Sequence, residues 1–260
     1  MATSGDIRSV LHERLRRDAS PLSVPGSLPV LFFGDLFDAP FATVSLNPSP
    51  QEYLDRQGLE LQGAERRFDT LASLGSRSRA ELTDAQCDRA IDTMRNYYQP
   101  GKPMYRWFHS FVRFANGLGL DYGKSQIAHL DLIQEATLLT WSQHEKASPA
   151  EFGRLFHMDL AFLKWQLEAF PLAVVFCNGR TPFDALCQLT AARVVRTDEL
   201  ARVEWFVAVG TAGSRRVIVA GWNLPLARPT GLGAHGETDL GKRIWAAVNG
   251  IVPGTLPSGT

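Results

Sequence analysis

The sequence predicts an α/β protein, and three observations carry that expectation. Four short apolar runs each stop abruptly at polar or glycine-containing residues. Residues 41–46 run into Asn47-Pro48-Ser49-Pro50, and 126–130 into Asp131. Residues 172–177 run into Asn178-Gly179-Arg180, and 216–220 into Gly221-Trp222-Asn223-Leu224-Pro225. Short apolar runs bounded by turn residues read as buried strands. Helix signals lie between them: Thr83-Asp84-Ala85-Gln86 is a capping box, and Ser148-Pro149-Ala150-Glu151 joins an N-cap, a first-turn proline and an acid. Strands alternating with helices give a largely parallel sheet covered by helices. The expected architecture is a three-layer α/β/α sandwich with a four-stranded, mostly parallel sheet.

In chain order, residues 7–17 read as a helix followed by a Ser/Pro/Gly linker. Residues 28–36 read as an edge strand or an apolar connection. Residues 51–79 are polar, contain glycine and show no strong period, so they are a functional loop or a partly helical insertion. The Thr83 helix extends to about Tyr98, where Pro100-Gly101-Lys102-Pro103 breaks it. A second runs from Met104 to Asn116, with Trp107, Phe108, Phe111, Val112 and Phe114 on a broad apolar face and Gly117 or Gly119 closing it. A third spans 149–170, and Thr181-Pro182-Phe183-Asp184 opens a shorter one ending near Ala191. Residues 203–209 and 216–220 flank a glycine-containing turn and form a hairpin, the first as an antiparallel edge. Thr238 caps a final helix over 239–248. The domain plan is an N-terminal helix and linker over 1–27, one α/β domain over 28–250, and a tail over 251–260.

Bulk properties narrow the function. The 260 residues carry 27 bases and 27 acids, so the net charge is zero and composition does not argue for a nucleic-acid coat. A local basic patch stays compatible with that balance. The first 17 residues lack an apolar signal core, and no apolar run approaches a membrane span, so the expected location is cytoplasmic. Three cysteines make neither a disulfide framework nor a four-thiolate cluster. Glycine spacing fits neither a dinucleotide fingerprint nor a P-loop, and no ligand cluster with zinc or iron spacing is evident, so no cofactor and no metal is expected.

In open α/β sheets ligands bind beyond the carboxyl ends of the strands. If the four strands are parallel neighbours, Asn47, Asp131, Asn178 and Asn223 share one rim. Prolines at 48 and 50 make the Asn47 turn rigid, which either aims its carboxamide at a ligand or water, or leaves Asn47 capping its own turn. His129 and Asp131 point to one side and could bind a metal or serve as an acid–base pair, with Asp131 the better contact for a polar ligand. Asn178-Gly179-Arg180 precedes a helix N-terminus, which favours an anion. Exposed Trp222 or Leu224 would suit stacking on a base or wedging into a duplex, with Asn223 and Arg228 on phosphate; alternatively Trp222 packs under its loop.

The order of these segments resembles the uracil-DNA glycosylase superfamily over roughly residues 40–250. Ser45-Leu46-Asn47-Pro48-Ser49 is similar to the first motif, closest to that of the mismatch-specific branch, whose asparagine positions the attacking water. The resemblance gives that role to Asn47, with Pro48 and Ser49 beside the base. Asp131 stands where the family reads the base edge, and Asn178-Gly179 matches the third strand and its turn. Tyr53 or Phe68 would stack on the flipped base. The last motif departs from the family, because Gly221-Trp222-Asn223-Leu224-Pro225 has no histidine and Asn223 would substitute for it. The implied activity is hydrolysis of the N-glycosidic bond of uracil or a related base, with single- or double-stranded DNA as partner. A carboxylate at Asp131 would repel uracilate and suit a base with N–H donors. Two alternatives stay open: a non-catalytic nucleic-acid- or nucleotide-binding protein on the same fold, and an unrelated α/β enzyme acting on a small nucleoside or phosphate compound.

Overall fold

The computed structural model describes residues 4–226 and 231–251. The elements in chain order are α1 (Ser4–Arg16), β1 (Phe41–Ser45), α2 (Leu71–Leu74), α3 (Asp84–Arg95), α4 (His109–Leu118), β2 (Ile127–Asp131), α5 (Trp141–Ala147), α6 (Pro149–Ala169), β3 (Val174–Asn178), α7 (Arg180–Leu189), β4 (Arg193–Leu200), β5 (Val203–Ala212), β6 (Arg215–Trp222) and α8 (Gly233–Ile251). Short 3₁₀ turns lie at Pro50–Glu52, Gly63–Glu65, Arg79–Glu81, Arg106–Phe108 and Tyr122–Lys124. Among the described residues no helix is long and apolar enough to cross a membrane.

The protein is α/β, and its sheet is six-stranded and mixed, in the order β2-β1-β3-β6-β5-β4. This corrects the four-stranded expectation. Strands β1, β3 and β6 are parallel neighbours, with Cys177 opposite both Val44 and Gly221. The hairpin β5–β6 is antiparallel as the sequence predicts, but β5 is not the edge. The edge is β4, paired antiparallel to β5. Its Arg-Val-Val-Arg-Thr-Asp-Glu-Leu sequence is exposed along nearly its whole length, so neither apolar alternation nor a buried run marks it.

The chain divides into two compact units. The first comprises residues 4–34, 46–105 and 130–169, and the second residues 35–45, 106–129 and the described part of 170–251. In the second unit the sheet supplies the core, and α4 packs closely on α8. A Cβ at Gly117 would overlap the Thr238 carbonyl and one at Gly241 the Phe114 carbonyl, so these glycines set the helix separation. α8 starts at Gly233 and not at a Thr238 cap. Thr238 is already helical, and its hydroxyl donates to Arg113 O at 3.2 Å. α7 likewise begins at Arg180, not after Thr181, with Gly179 as N-cap at φ 111°, a conformation glycine adopts freely.

In the first unit the capping box predicted at Thr83 is present. Thr83 and Gln86 form the reciprocal capping box of α3. The expected edge strand over 28–36 does not form. Residues 28–33 are buried outside the named strands, and groups from elsewhere in the unit meet several of their backbone atoms. Val30 N donates to Gln134 O at 2.8 Å, Tyr53 Oη to Leu28 O at 2.6 Å, and Gln166 Nε2 to Leu31 O at 2.8 Å. A buried peptide needs such partners wherever it comes from.

Candidate functional site

In the first unit, the Asn47-Pro48-Ser49-Pro50 turn leads into a 3₁₀ turn at Pro50–Glu52. Ser49 Oγ accepts from Gln51 N at 3.2 Å, and Pro50 occupies the first turn, where its missing N–H costs nothing. Asn47 Nδ2 donates to Pro48 O at 3.0 Å and to Thr137 Oγ1 at 3.1 Å. Thr137 gives its own hydroxyl proton to Leu139 O at 2.9 Å, so toward Asn47 it can only accept. That chain fixes which way the Asn47 amide faces. Its oxygen has no hydrogen-bond partner among the described residues, and the side chain is half-buried. The amide is therefore clamped by its nitrogen and offers its oxygen.

Two residues after Pro50 lies a group that sequence reading missed. Glu52 is buried and receives the Tyr97 hydroxyl on both oxygens, at 2.9 and 3.1 Å. Burial pushes its carboxyl up to about 8, against the pull of the Tyr97 hydrogen bond and the Arg67 charge, with Asp131 adding a further push. Glu52 is thus mainly neutral at pH 7. Arg67 Nη1 donates to Gln51 O at 2.6 Å, and its guanidinium lies 5.5 Å from the Tyr105 ring centre. The Tyr105 hydroxyl bonds Gln51 Oε1, so the residues after the turn are held from several sides. An acid inside a polar stretch reads as surface, and no sequence signal distinguishes Glu52.

Asp131 is buried at the end of β2, in the same unit. Tyr53 and Phe68, the two candidate stacking partners, are both buried as well. The Tyr53 hydroxyl is taken by Leu28 O, and Phe68 stacks on Tyr97 with ring centres 5.1 Å apart.

In the second unit, Asn178 and Trp222 are register partners at the carboxyl ends of β3 and β6. Asn178 Oδ1 accepts from Trp222 Nε1 at 3.2 Å and from Leu226 N at 2.8 Å, while its Nδ2 donates to Ser45 Oγ at 3.3 Å. Trp222 is fully buried against Phe114, ring centres 4.6 Å apart, so it is the packed alternative and offers no face to a base. Asn223 extends the hairpin: its N–H donates to Glu204 O at 2.9 Å, and its Oδ1 accepts from Glu204 N at 3.2 Å. Gly179 lies against Pro225, where a Cβ would come within 3.2 Å of Cγ. Leu224 is half-buried, and Arg228 falls outside the described residues.

His129 also belongs to the interior. Its Nδ1 lies 2.7 Å from Thr43 Oγ1, and Trp107, Phe108 and Phe111 surround the ring. Arg180 is exposed and pairs with Asp184, its guanidinium 4.9 Å from the Phe206 ring centre.

Comparison with protein-family models gives no match, and comparison with curated proteins gives none. The candidate site therefore stands on its geometry. Of the asparagines predicted as functional, Asn178 and Asn223 have their carbonyl oxygens engaged by this protein's own N–H groups, and Asn47 does not.

Proposed function

We propose that the protein hydrolyses the N-glycosidic bond of a damaged or deaminated base in DNA, with Asn47 orienting the attacking water. The observation that carries this reading is the clamped Asn47 amide with an open carbonyl oxygen. An amide oxygen accepts a hydrogen bond from water without taking its proton, so Asn47 aligns a lone pair and does not act as base. The reaction suits that division, because the departing base carries the developing charge and water attacks a sugar carbon already electron-poor. Alignment alone is a large part of such catalysis. The resemblance of residues 45–49 to the uracil-DNA glycosylase first motif supports the same role, and with it the three-layer sandwich of that superfamily.

The buried Asp131 carboxylate would favour a base that presents N–H donors over one that leaves as a bare anion. Uracil is then a poor substrate, and a base with an exocyclic or ring N–H a better one.

A second reading has its own observation. The oxygen of Asn223 is bonded to Glu204 N–H, and Trp222 is core, so the last motif offers neither a histidine nor a free asparagine oxygen. A protein that binds nucleic acid or a nucleotide on this fold without cleaving it accounts for that.

Single-turnover release from oligonucleotides carrying uracil, hypoxanthine, xanthine or alkylated bases separates the two. Under the hydrolytic reading at least one base is released, and Asn47→Ala slows release by about a hundredfold. Release from no substrate leaves the binding reading in its place, and release by Asn47→Ala as fast as wild type takes the water-orienting role away from Asn47.

A further inference from the structure

The sequence leaves the polar stretch over residues 51–79 open as a functional loop or an insertion, and the fold uses part of it to line a cavity of about 290 Å³ within the first unit. Four lining residues are cationic, Arg66, Arg67, Arg89 and Lys102, and Asp69 is the only lining acid. In a chain of zero net charge this is a concentration of positive charge, not a sample of the average. Phe68 and Tyr97, stacked on each other, also line it.

The pairing inside the cavity is uneven. Asp69 is saturated: Oδ1 accepts from Arg89 at 2.8 Å and Ser73 at 3.0 Å, and Oδ2 from Thr93 at 2.9 Å. Arg66 donates through Nη2 to the neutral Gln62 at 2.7 Å and makes only a long ion pair, at 3.7 Å, with Glu60. Arg67 donates to the Gln51 carbonyl and to no acid among the described residues. The Nε groups of both Arg66 and Arg67 are buried and have no hydrogen-bond partner among the described residues. Glu52, the acid coupled to Arg67, is held neutral near pH 7 by burial, so it does not cancel that charge.

Buried guanidinium N–H groups without acceptors are costly, and adjacent forks of this kind match an anion with several oxygens. A carboxylate offers two oxygens on one plane. A phosphate offers more, spread in three dimensions, and so serves two arginines and a lysine together. We propose that this cavity binds a phosphate group through Arg66, Arg67 and Lys102. The proposal rests on the cavity alone and not on the role given to Asn47. The phosphate has two possible sources, a nucleic-acid backbone or a small phosphorylated molecule.

The test uses the full chain at low salt with two probes: a short fluorescent single-stranded oligonucleotide followed by anisotropy, and inorganic phosphate followed by calorimetry. Wild type is compared with Arg66→Gln/Lys102→Gln, which spares the Arg67–Gln51 bond, and circular dichroism verifies that both are folded. The expected result is saturable binding of at least one probe, weakened about tenfold in the double variant. For the oligonucleotide, the slope of log affinity against log salt should also fall by about 1.4, roughly 0.7 per lost contact. Binding of the oligonucleotide alone assigns the phosphate to a nucleic-acid backbone, and binding of inorganic phosphate assigns it to a small ligand. Binding of neither probe, or equal binding by both proteins, overturns the proposal. Asn47→Ala should bind like wild type, so loss of the phosphate site and loss of the hydrolytic reading are separate results.

Discussion

The two units bury different chemistry. In the first, Arg14, Glu52, Asp69, Arg79, Asp131, Glu135 and Asp159 are all buried, whereas the described residues of the second bury one such group, Glu237. The second unit satisfies its interior backbone through sheet ladders, leaving apolar side chains such as Val174, Phe176 and Val219 to fill the space. The first unit holds an extended buried segment with no ladder. Its carbonyls are met by the neutral side chains of Tyr53 and Gln166, and the Ser27 carbonyl just before it by a charged one. Arg79 shows the connection, since it donates to Ser27 O through Nε and Nη2 and pairs with both oxygens of Glu135, at 2.7 and 2.8 Å. Arg14 links the same Glu135 to Asp159. The difference teaches that where side chains meet buried carbonyls in place of ladders, one of them, Arg79, carries its charge and its Glu135 partner inside.

The sharpest way to break this comparison is Arg79→Ala. It leaves the Glu135 carboxylate buried without its main partner and two bonds to Ser27 unmade, and should cost about 3–5 kcal/mol in denaturant unfolding. The counterpart is Trp222→Ala, where the cavity left by the indole gives a cost of about 3–5 kcal/mol by a different route, the Asn178 oxygen keeping its bond from Leu226 N. A cost near zero for Arg79→Ala would show the ionic cluster to be incidental.

Glu52→Gln sharpens the comparison through pH. The folded carboxyl titrates at about 8, above its ordinary value of 4.5. Between those values the unfolded chain gives up the proton and the folded chain retains it, so rising pH destabilises the fold across that window. The penalty is absent below it and constant above it. Glutamine accepts the Tyr97 hydroxyl but cannot ionise. The variant should match wild type near pH ~4 and exceed it by a few kcal/mol near pH ~9. Asp159, pushed by burial to about 6 despite Arg14, adds a change of the same sign at lower pH. For Glu135 burial pushes up, but Arg79 and Arg14 outweigh it and hold the carboxyl low, so its contribution is lost only on acidification. Parallel unfolding curves for wild type and Glu52→Gln at both ends of the range would refute the buried-acid account.

The smallest expected effect is Asn223→Ala. It removes one hydrogen bond from an exposed hairpin end, a loss of about 0.5–1.5 kcal/mol. Under the proposed function it should leave base release intact, unlike Asn47→Ala. A large loss of release in Asn223→Ala would return that residue to the role the family resemblance gives it.

Much of this was legible where the signal is local. The Thr83 capping box, the Ser49 turn, the start of α6 at Pro149 and the β5–β6 hairpin all depend on residues a few positions apart. Strand β4 was not, because its order comes from pairing with β5 and not from burial of its own side chains. Nor was the fate of Trp222, since the same indole reads equally as a base-stacking wedge or as core.

The sequence by itself determined the α/β class, the Thr83 cap and the rigid turn that carries Asn47, because propensity and proline geometry act over a few residues. Only the tertiary structure decided which asparagine keeps an open oxygen, which acid stays protonated, and which arginines remain underpaired. Those outcomes depend on Thr137, Tyr97 and Gln51, partners set by packing and, for Thr137 and Tyr97, distant in sequence, and no local pattern encodes them.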